Sequence, residues 1–209
     1  MVRISASGER LNYQIALRAH SVGDVVKIFC EVTGPPPARV RLLMETRASG
    51  QTVVRSGHAG DVAPKDLAPA TWGDPLLDSN LTYEDLMENQ FLWQKQTLVK
   101  EEKYGARDCD VIRSQPAPAD HSHYSVVTSW LDRQTHYPVK VDKLVESTGQ
   151  IKEFIYYGLR QSKGIWSASQ IEIKTAGKPG STLLIITRGT GQAKLTAADF
   201  DPALLTKPY

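Results

Sequence analysis

Few side chains in this sequence have both the residue type and the spacing that catalysis or metal binding requires. His121 and His123 are two residues apart at the start of an expected strand, where both imidazoles and Asp120 would bind a metal ion. Asp108 and Asp110 would share a strand face as paired carboxylates for general acid–base catalysis. The alternative in each case is a set of solvated polar residues beside a turn. We favour that alternative, because nothing in the sequence identifies a substrate.

The remaining reactive patterns are incomplete. Gly189-Thr190-Gly191 has Lys194 where a dinucleotide-binding pattern needs its third glycine, so a hairpin turn is the better interpretation. Cys30 and Cys109 are far apart, which fits two buried thiols, or one disulfide if the protein is exported. We therefore predict no catalytic residue, no metal and no cofactor, in a protein that is not an enzyme.

The four tryptophans, Trp72, Trp93, Trp130 and Trp166, are more suggestive. Large aromatic side chains belong either to an ordinary core or to the lining of an apolar cavity. Sequence alone leaves both alternatives open.

Composition predicts a single globular domain over residues 1–209. Hydrophobic residues make up 41% of the chain and charged residues 23%, within the range of globular proteins. The 25 basic and 23 acidic side chains leave a formal net charge of +2, and no stretch forms a basic surface. Nucleic acid is therefore not an expected partner.

Alternation of apolar and polar residues with period two predicts about ten strands. The first four runs start at Leu11, Val26, Val40 and Thr52, and they predict an antiparallel meander. Pro35-Pro36-Pro37 is expected to separate the second run from the third. Further runs follow between Thr97 and Thr187. No alternation of strands with helices appears, which excludes doubly wound and α/β-barrel folds.

One central helix is expected between the first four strands and the others. Thr82-Tyr83-Glu84-Asp85 resembles a capping box, and Leu86, Met87 and Phe91 would form the apolar stripe of the helix. A long loop over residues 57–80 precedes it, and Ala198 to Leu205 predicts a short terminal helical turn.

Six blocks between residues 75 and 205 together resemble the LolA-like outer-membrane lipoprotein-sorting family, in its larger branch of exported domains. Residues 77–86 (LDSNLTYEDL) match a block that ends in Y-x-D-L, and residues 104–112 (YGARDCDVI) match a turn and strand. Residues 124–132 (YSVVTSWLD) resemble a strand with the pattern Y-x5-W-x-D. The remaining matches are residues 137–141 (YPVKV), residues 148–152 (TGQIK) and the closing residues 198–205 (ADFDPALL).

The resemblance implies a mainly β fold of the α+β type. Its strongly curved antiparallel sheet forms a half-open barrel, and helices cover the open side as a lid. It also implies a periplasmic protein that carries lipoprotein acyl chains or another lipid. Met1 to Arg10 contain no apolar leader segment, so we expect an exported protein to have lost it.

An apolar concavity is enough to hold a lipid, because each buried CH₂ contributes roughly 0.8 kcal/mol. If the apolar strand positions face the concave side, the ligand-binding residues are Ile28, Leu42, Leu86, Met87, Phe91, Trp130, Phe154, Ile171 and Ile173. A slip of one residue in register would invert this assignment. The alternative function is an interaction or sensor module on the same scaffold, with an envelope protein as partner and no lipid cargo.

Overall fold

The alternating segments form sixteen strands in the computed structural model of the chain, which describes residues 1–34, 39–162 and 164–208. Nine strands make one antiparallel sheet in the order β2-β1-β16-β15-β12-β11-β10-β9-β8. Their bounds are β1 Val2–Ile4, β2 Arg10–Asn12, β8 Lys95–Tyr104, β9 Arg107–Gln115, β10 Tyr124–Asp132, β11 Pro138–Val145, β12 Ile151–Tyr157, β15 Gln170–Thr175 and β16 Ser181–Ile185.

The other strands form a meander and a small hairpin. A five-stranded antiparallel sheet follows chain order, and its strands are β3 Gln14–Val22, β4 Val25–Thr33, β5 Arg39–Arg47, β6 Thr52–Gly57 and β7 Lys65–Leu67. The hairpin pairs β13 Arg160–Ser162 with β14 Ile165–Ser167. The predicted meander is confirmed, whereas Pro35-Pro36-Pro37 lies outside the described residues.

The two sheets follow each other directly along the chain. Only Tyr13 separates β2, at the edge of the nine-stranded sheet, from β3, at the edge of the five-stranded sheet. Within the described residues neither sheet closes on itself. The prediction of a mainly β protein with a large antiparallel sheet is confirmed.

The predicted helical lid is wrong, because the helices in the described part of the chain are single 3-10 turns. These are Pro69–Thr71, Leu76–Asp78, Glu84–Leu86, Asn89–Phe91, Pro118–Asp120, Ala197–Phe200 and Pro202–Leu205. The last two confirm the predicted terminal turn.

The expected central helix stops after one turn for a local reason. Thr82 and Asp85 do exchange capping hydrogen bonds, since the Thr82 backbone N–H donates to Asp85 Oδ2 and the Asp85 N–H donates to Thr82 Oγ1. Glu88 then adopts a left-handed φ of 47°, which an α-helix cannot contain. A second 3-10 turn follows in place of a continuous helix.

Candidate functional site

The inner face of the nine-stranded sheet is apolar at its centre and carries two lysines beside that centre. Val141 lies opposite Phe154, and Phe154 lies opposite Ile173, so the three share one face. Lys143 lies opposite Lys152. Each lysine is two residues from Val141 or Phe154 in its own strand, so both lysines lie on the same face as these apolar residues. All five side chains are buried.

The five-stranded sheet contributes a matching apolar face. Ile28 lies opposite Met44, Cys30 lies opposite Leu42, and Val54 also pairs with Met44. These residues belong to the same buried cluster as Val141, Phe154 and Ile173 of the nine-stranded sheet. The inner faces of both sheets therefore meet in one core, which we call the shared core.

The third contributor to the shared core is the central segment, residues 68–94, which connects the two sheets. Its members in that cluster are Trp72, Leu76, Leu81, Met87 and Trp93. The segment contains four single 3-10 turns, and three of its non-glycine residues, Leu77, Asp78 and Glu88, have φ near +50°. Left-handed φ values in such residues store backbone strain, which proteins tolerate mainly at functional or switching positions.

Most of the residues predicted to line a ligand cavity come together in the shared core. Ile28, Leu42, Met87, Phe154 and Ile173 are buried in it, and Leu86 and Ile171 pack against it while remaining partly exposed. Phe91 lies at the end of the central segment and is 38% exposed. Their assignment as ligand-binding residues stays a prediction.

Trp130 lies on the opposite face of the nine-stranded sheet. Its neighbour Ser129 pairs with Val141 on the inner face, so Trp130 points outward. There Trp130 Nε1 donates a hydrogen bond to Glu102 Oε1 at 2.6 Å, and Lys140 Nζ lies 4.8 Å from the ring centre. Trp130 was predicted to face inward because Tyr124 faces inward and strict alternation would place both side chains on the same face. A register shift between Tyr124 and Val126 reverses the face on which Trp130 lies.

A buried polar cluster joins the central segment to the inner face of the nine-stranded sheet. Asp85 is fully buried, and its carboxylate accepts hydrogen bonds from Lys143 Nζ and Lys152 Nζ, both at 2.9 Å. The Tyr124 hydroxyl donates to the same carboxylate at 2.7 Å and accepts from Lys152 Nζ at 2.9 Å. Thr82 completes the set with its N–H and hydroxyl, each 2.9 Å from Asp85 Oδ2.

The ionisation of this cluster follows from burial and from opposite charges. Burial alone would raise the pKa of Asp85, but the charges of Lys143 and Lys152 and the hydrogen bonds from them hold it well below its usual range. Burial lowers the pKa of Lys152. Glu88 Oε1 accepts a hydrogen bond from the Tyr156 hydroxyl at 3.4 Å. Asp85 is therefore the ionised carboxylate that balances the lysines.

Glu84, the residue before Asp85, attaches the central segment to the loop that precedes β10. Its carboxylate accepts hydrogen bonds from Ser122 Oγ and from the His123 backbone N–H, and it lies 3.3 Å from His123 Nδ1. His123 Nε2 lies 3.2 Å from the Ala70 carbonyl oxygen. Both ring nitrogens of His123 thus contact the central segment, whereas His121 is exposed.

The other reactive candidates are also engaged in ordinary contacts or buried. Asp108 pairs with Lys103 and Asp110 with Arg133, each at 3.3 Å. Among the described residues, no group of three or more His, Cys, Asp or Glu side chains is placed to hold a metal ion. The cysteines are both buried and unpaired. Burial raises the pKa of the Cys30 thiol to about 12.

Sequence reasoning missed the lysines of the polar cluster and assigned Asp85 only a capping role. The sequence contained a signal for them. Lys143 follows Val139 and Val141 at alternate positions of β11, and Lys152 lies two residues before Phe154 in β12, so both lysines occupy inward-facing positions. A lysine at an apolar position of an alternating strand is a buried-charge candidate, and buried charges need a partner. The partner lies 58 and 67 residues away along the chain.

Comparisons with known proteins agree with this fold. A family model described as an uncharacterized protein matches residues 63–207, more than half of the chain. No curated protein matches. An outer membrane lipoprotein-sorting protein domain from Vibrio parahaemolyticus superposes with a TM-score of 0.87 at 21% identity, over 98% of this chain and 87% of the other. The predicted resemblance to LolA-like proteins is confirmed at the level of the fold.

Two more solved structures share the architecture. A DUF1329 family protein from Desulfovibrio piger has a TM-score of 0.83 at 14% identity, over 98% of this chain and 88% of the other. A LolA superfamily protein from Nitrosomonas europaea has a TM-score of 0.52 at 14% identity, over 84% and 81% of the two chains. Within the described residues, no helix has the length and apolarity needed to cross a membrane.

Proposed function

We propose that this protein is a non-enzymatic carrier. The chain belongs to the family matched over residues 63–207, and it has the fold of lipoprotein-sorting domains. Its cargo is a lipid or the acyl chains of a lipoprotein, and its compartment is the periplasm. The binding surface is the concave inner side of a half-open barrel formed by residues 1–209 as one domain. The solved relative named for outer membrane lipoprotein sorting supports this assignment.

The observation that carries the proposal is the composition of the shared core. Two sheets turn apolar faces toward each other, and the material between them is the central segment, which has no strand and no α-helix between residues 68 and 94. Ile28, Leu42, Phe154 and Ile173 belong to the same buried cluster as Trp72, Leu76 and Met87 of that segment. A lipid therefore enters only when the central segment moves aside and exchanges its apolar contacts for those of the acyl chain.

Native mass spectrometry of the protein, expressed with an export signal and purified without detergent, tests the proposal. We expect adducts with the masses of lipids, and we expect a fluorescent fatty acid to compete for the same site. A protein that carries no adduct and leaves the fluorescent fatty acid unbound would contradict the carrier function.

A second candidate function is an envelope interaction or sensor module without cargo. The burial of Trp72, Leu76 and Leu81 favours it, since these side chains fill the space between the sheets as an ordinary core would. Isolation of a stable protein partner from envelope extracts, with no lipid bound to either protein, would support this function over the first.

A further inference from the structure

The two inward-facing lysines are an unusual feature of an apolar sheet face. Lys143 and Lys152 lie directly opposite each other on β11 and β12, with side-chain exposures of 3% and 7%. Like charges in opposite positions of neighbouring strands repel, and burial adds a desolvation cost. Such a pair is stable only with an anion between its members.

In the described structure that anion belongs to the protein itself. Asp85 places one carboxylate oxygen on each ammonium group, and Tyr124 and Thr82 supply further donors. Four side chains, from the central segment, β10, β11 and β12, therefore form an oxyanion cradle, defined here as Lys143, Lys152, Tyr124 and Thr82. A carboxylate or a phosphate oxygen pair fits the same set of donors.

Both ammonium groups hydrogen-bond to one carboxylate, that of Asp85. Glu88 and Glu84 also act on them electrostatically, although each of these carboxylates has hydrogen-bonding partners of its own. Removal of Asp85 would leave the two ammonium groups without a directly bound anion.

Asp85 sits on the part of the molecule that must move for a lipid to enter. It lies in the single 3-10 turn Glu84–Leu86 of the central segment, three residues before the left-handed Glu88. The lysines and Tyr124 lie on regular strands of the nine-stranded sheet. Movement of the segment would therefore remove the carboxylate and leave the basic groups in place, adjacent to Val141 and Phe154.

We propose that the Lys143–Lys152–Tyr124 part of the cradle binds an oxyanion, a carboxylate or phosphate, of the ligand, and that Asp85 occupies this position as an internal substitute when no ligand is bound. This inference rests on the carrier function above and adds the ligand class, an anionic lipid whose head group replaces Asp85. The apolar neighbours Val141 and Phe154 then contact the first part of the acyl chain.

The test compares oleate with oleyl alcohol, which has the same chain and a neutral head group. Binding is measured by isothermal titration, and folding of each variant is first verified by circular dichroism. The wild-type protein is expected to prefer oleate. Asp85→Asn is expected to increase the preference about tenfold, because a neutral amide competes less well than a carboxylate for two charged donors.

Two further variants make the result specific. Lys152→Met, alone and combined with Asp85→Asn, is expected to abolish the preference for oleate while oleyl alcohol binding remains. The single Lys152→Met variant keeps one lysine for Asp85, so it tests the inference even if Asp85→Asn fails to fold. Lys174→Met on the outer face of β15 and Asp78→Asn, an exposed acid in the central segment, are the matched controls and should leave the preference unchanged.

The outcomes separate the two proposals. Equal binding of oleate and oleyl alcohol by every variant would overturn the oxyanion cradle and leave the carrier function standing. If neither oleate nor oleyl alcohol binds to the wild-type protein or to any variant, the oxyanion cradle and the carrier function are both overturned. Acetate and inorganic phosphate distinguish the source of the oxyanion: if they match oleate in Asp85→Asn, the cradle binds a free anion, and if only oleate binds, it binds the head group of a lipid.

Discussion

Asp85 is the residue on which the attachment of the central segment depends most. Its carboxylate is fully buried, and two ammonium groups, a phenol and a hydroxyl hydrogen-bond to it. A buried ion pair contributes little relative to an apolar replacement, but removing one partner leaves an uncompensated charge. The loss of Asp85 should therefore cost far more than the loss of an exposed acid.

We predict that Asp85→Asn lowers the free energy of unfolding by about 3–5 kcal/mol, because it leaves Lys143 and Lys152 without their counter-charge. Asp78→Asn, whose side chain is 91% exposed in the same segment, should change it by no more than about 0.5 kcal/mol. Urea denaturation followed by circular dichroism measures both. Equal midpoints would show that Asp85 is not a stabilising contact.

His123 predicts a pH dependence of opposite sign to that of Asp85, whose pKa is lowered in the folded protein. Its hydrogen bond to Glu84 raises its pKa above the usual 6.5, although burial opposes the shift. A raised folded-state pKa contributes stability that is complete below about 6.5 and is lost as the pH rises through the folded-state value. The thermal midpoint should therefore fall between about pH 6 and about pH 9.

His123→Gln should remove that part of the pH dependence, because the side chain no longer titrates. His121→Asn is the control, since His121 is exposed and asparagine tolerates its left-handed φ of 51°. An unchanged difference between the midpoints at the two pH values in His123→Gln would assign the pH dependence to other groups.

At the scale of elements, the C-terminal turns cover the outer face of the five-stranded sheet. Phe200 and Leu205 form a second buried cluster with Phe29 and Leu43. Arg41 Nη1 donates to the carbonyl oxygens of Leu204 and Lys207, which fixes the last turn against β5. The meander is thus covered on both faces, by the shared core on one side and by residues 197–205 on the other.

Gly57→Ala should displace the last turn from the sheet. A Cβ at this position would lie 2.9 Å from both the Cβ and the carbonyl oxygen of Leu205, and a backbone atom cannot yield as a flexible side chain does. We expect faster hydrogen exchange and proteolysis in residues 197–207, measured by mass spectrometry. Gly189→Ala, where nothing lies within 4 Å, is the control, and equal exchange in the two variants would contradict the role of Gly57.

At the scale of the whole molecule, the carrier function requires the central segment to separate from the sheets. Asn89 attaches the segment to the five-stranded sheet, where its Oδ1 accepts a hydrogen bond from Thr46 Oγ1 at 3.3 Å. Asp85 attaches it to the nine-stranded sheet. A covalent link at the first position would keep the segment between the sheets without changing the shared core.

We predict that the double variant Thr46→Cys and Asn89→Cys loses oleate binding when oxidised and regains it when reduced. The reason is that a disulfide would prevent the segment from leaving the space that the acyl chain needs. Titration of the oxidised and reduced forms measures this, with Asn89→Cys alone as control for the substitution. Undiminished binding by the cross-linked protein would show that the lipid does not enter between the sheets.

The chain's local patterns determined most of the strands. Alternation is a property of neighbouring residues, so Val26 to Val32 or Ile151 to Tyr157 predicts a strand without knowledge of the remainder of the molecule. The same local reasoning failed at Trp130, because a register shift in β10 changes which side of the sheet a residue faces. It also failed at Thr82, where correct capping contacts lead into only one 3-10 turn.

Only the tertiary structure decided what the inner face contains. Lys143 is 58 residues and Lys152 is 67 residues from Asp85 along the chain, and no local pattern specifies which carboxylate will neutralise a buried lysine. Whether the apolar positions form a core or line a cavity likewise depends on where the central segment packs. The sequence thus determined that an apolar face exists, and tertiary packing decided what covers it, because burial and charge pairing arise between elements that are distant along the chain.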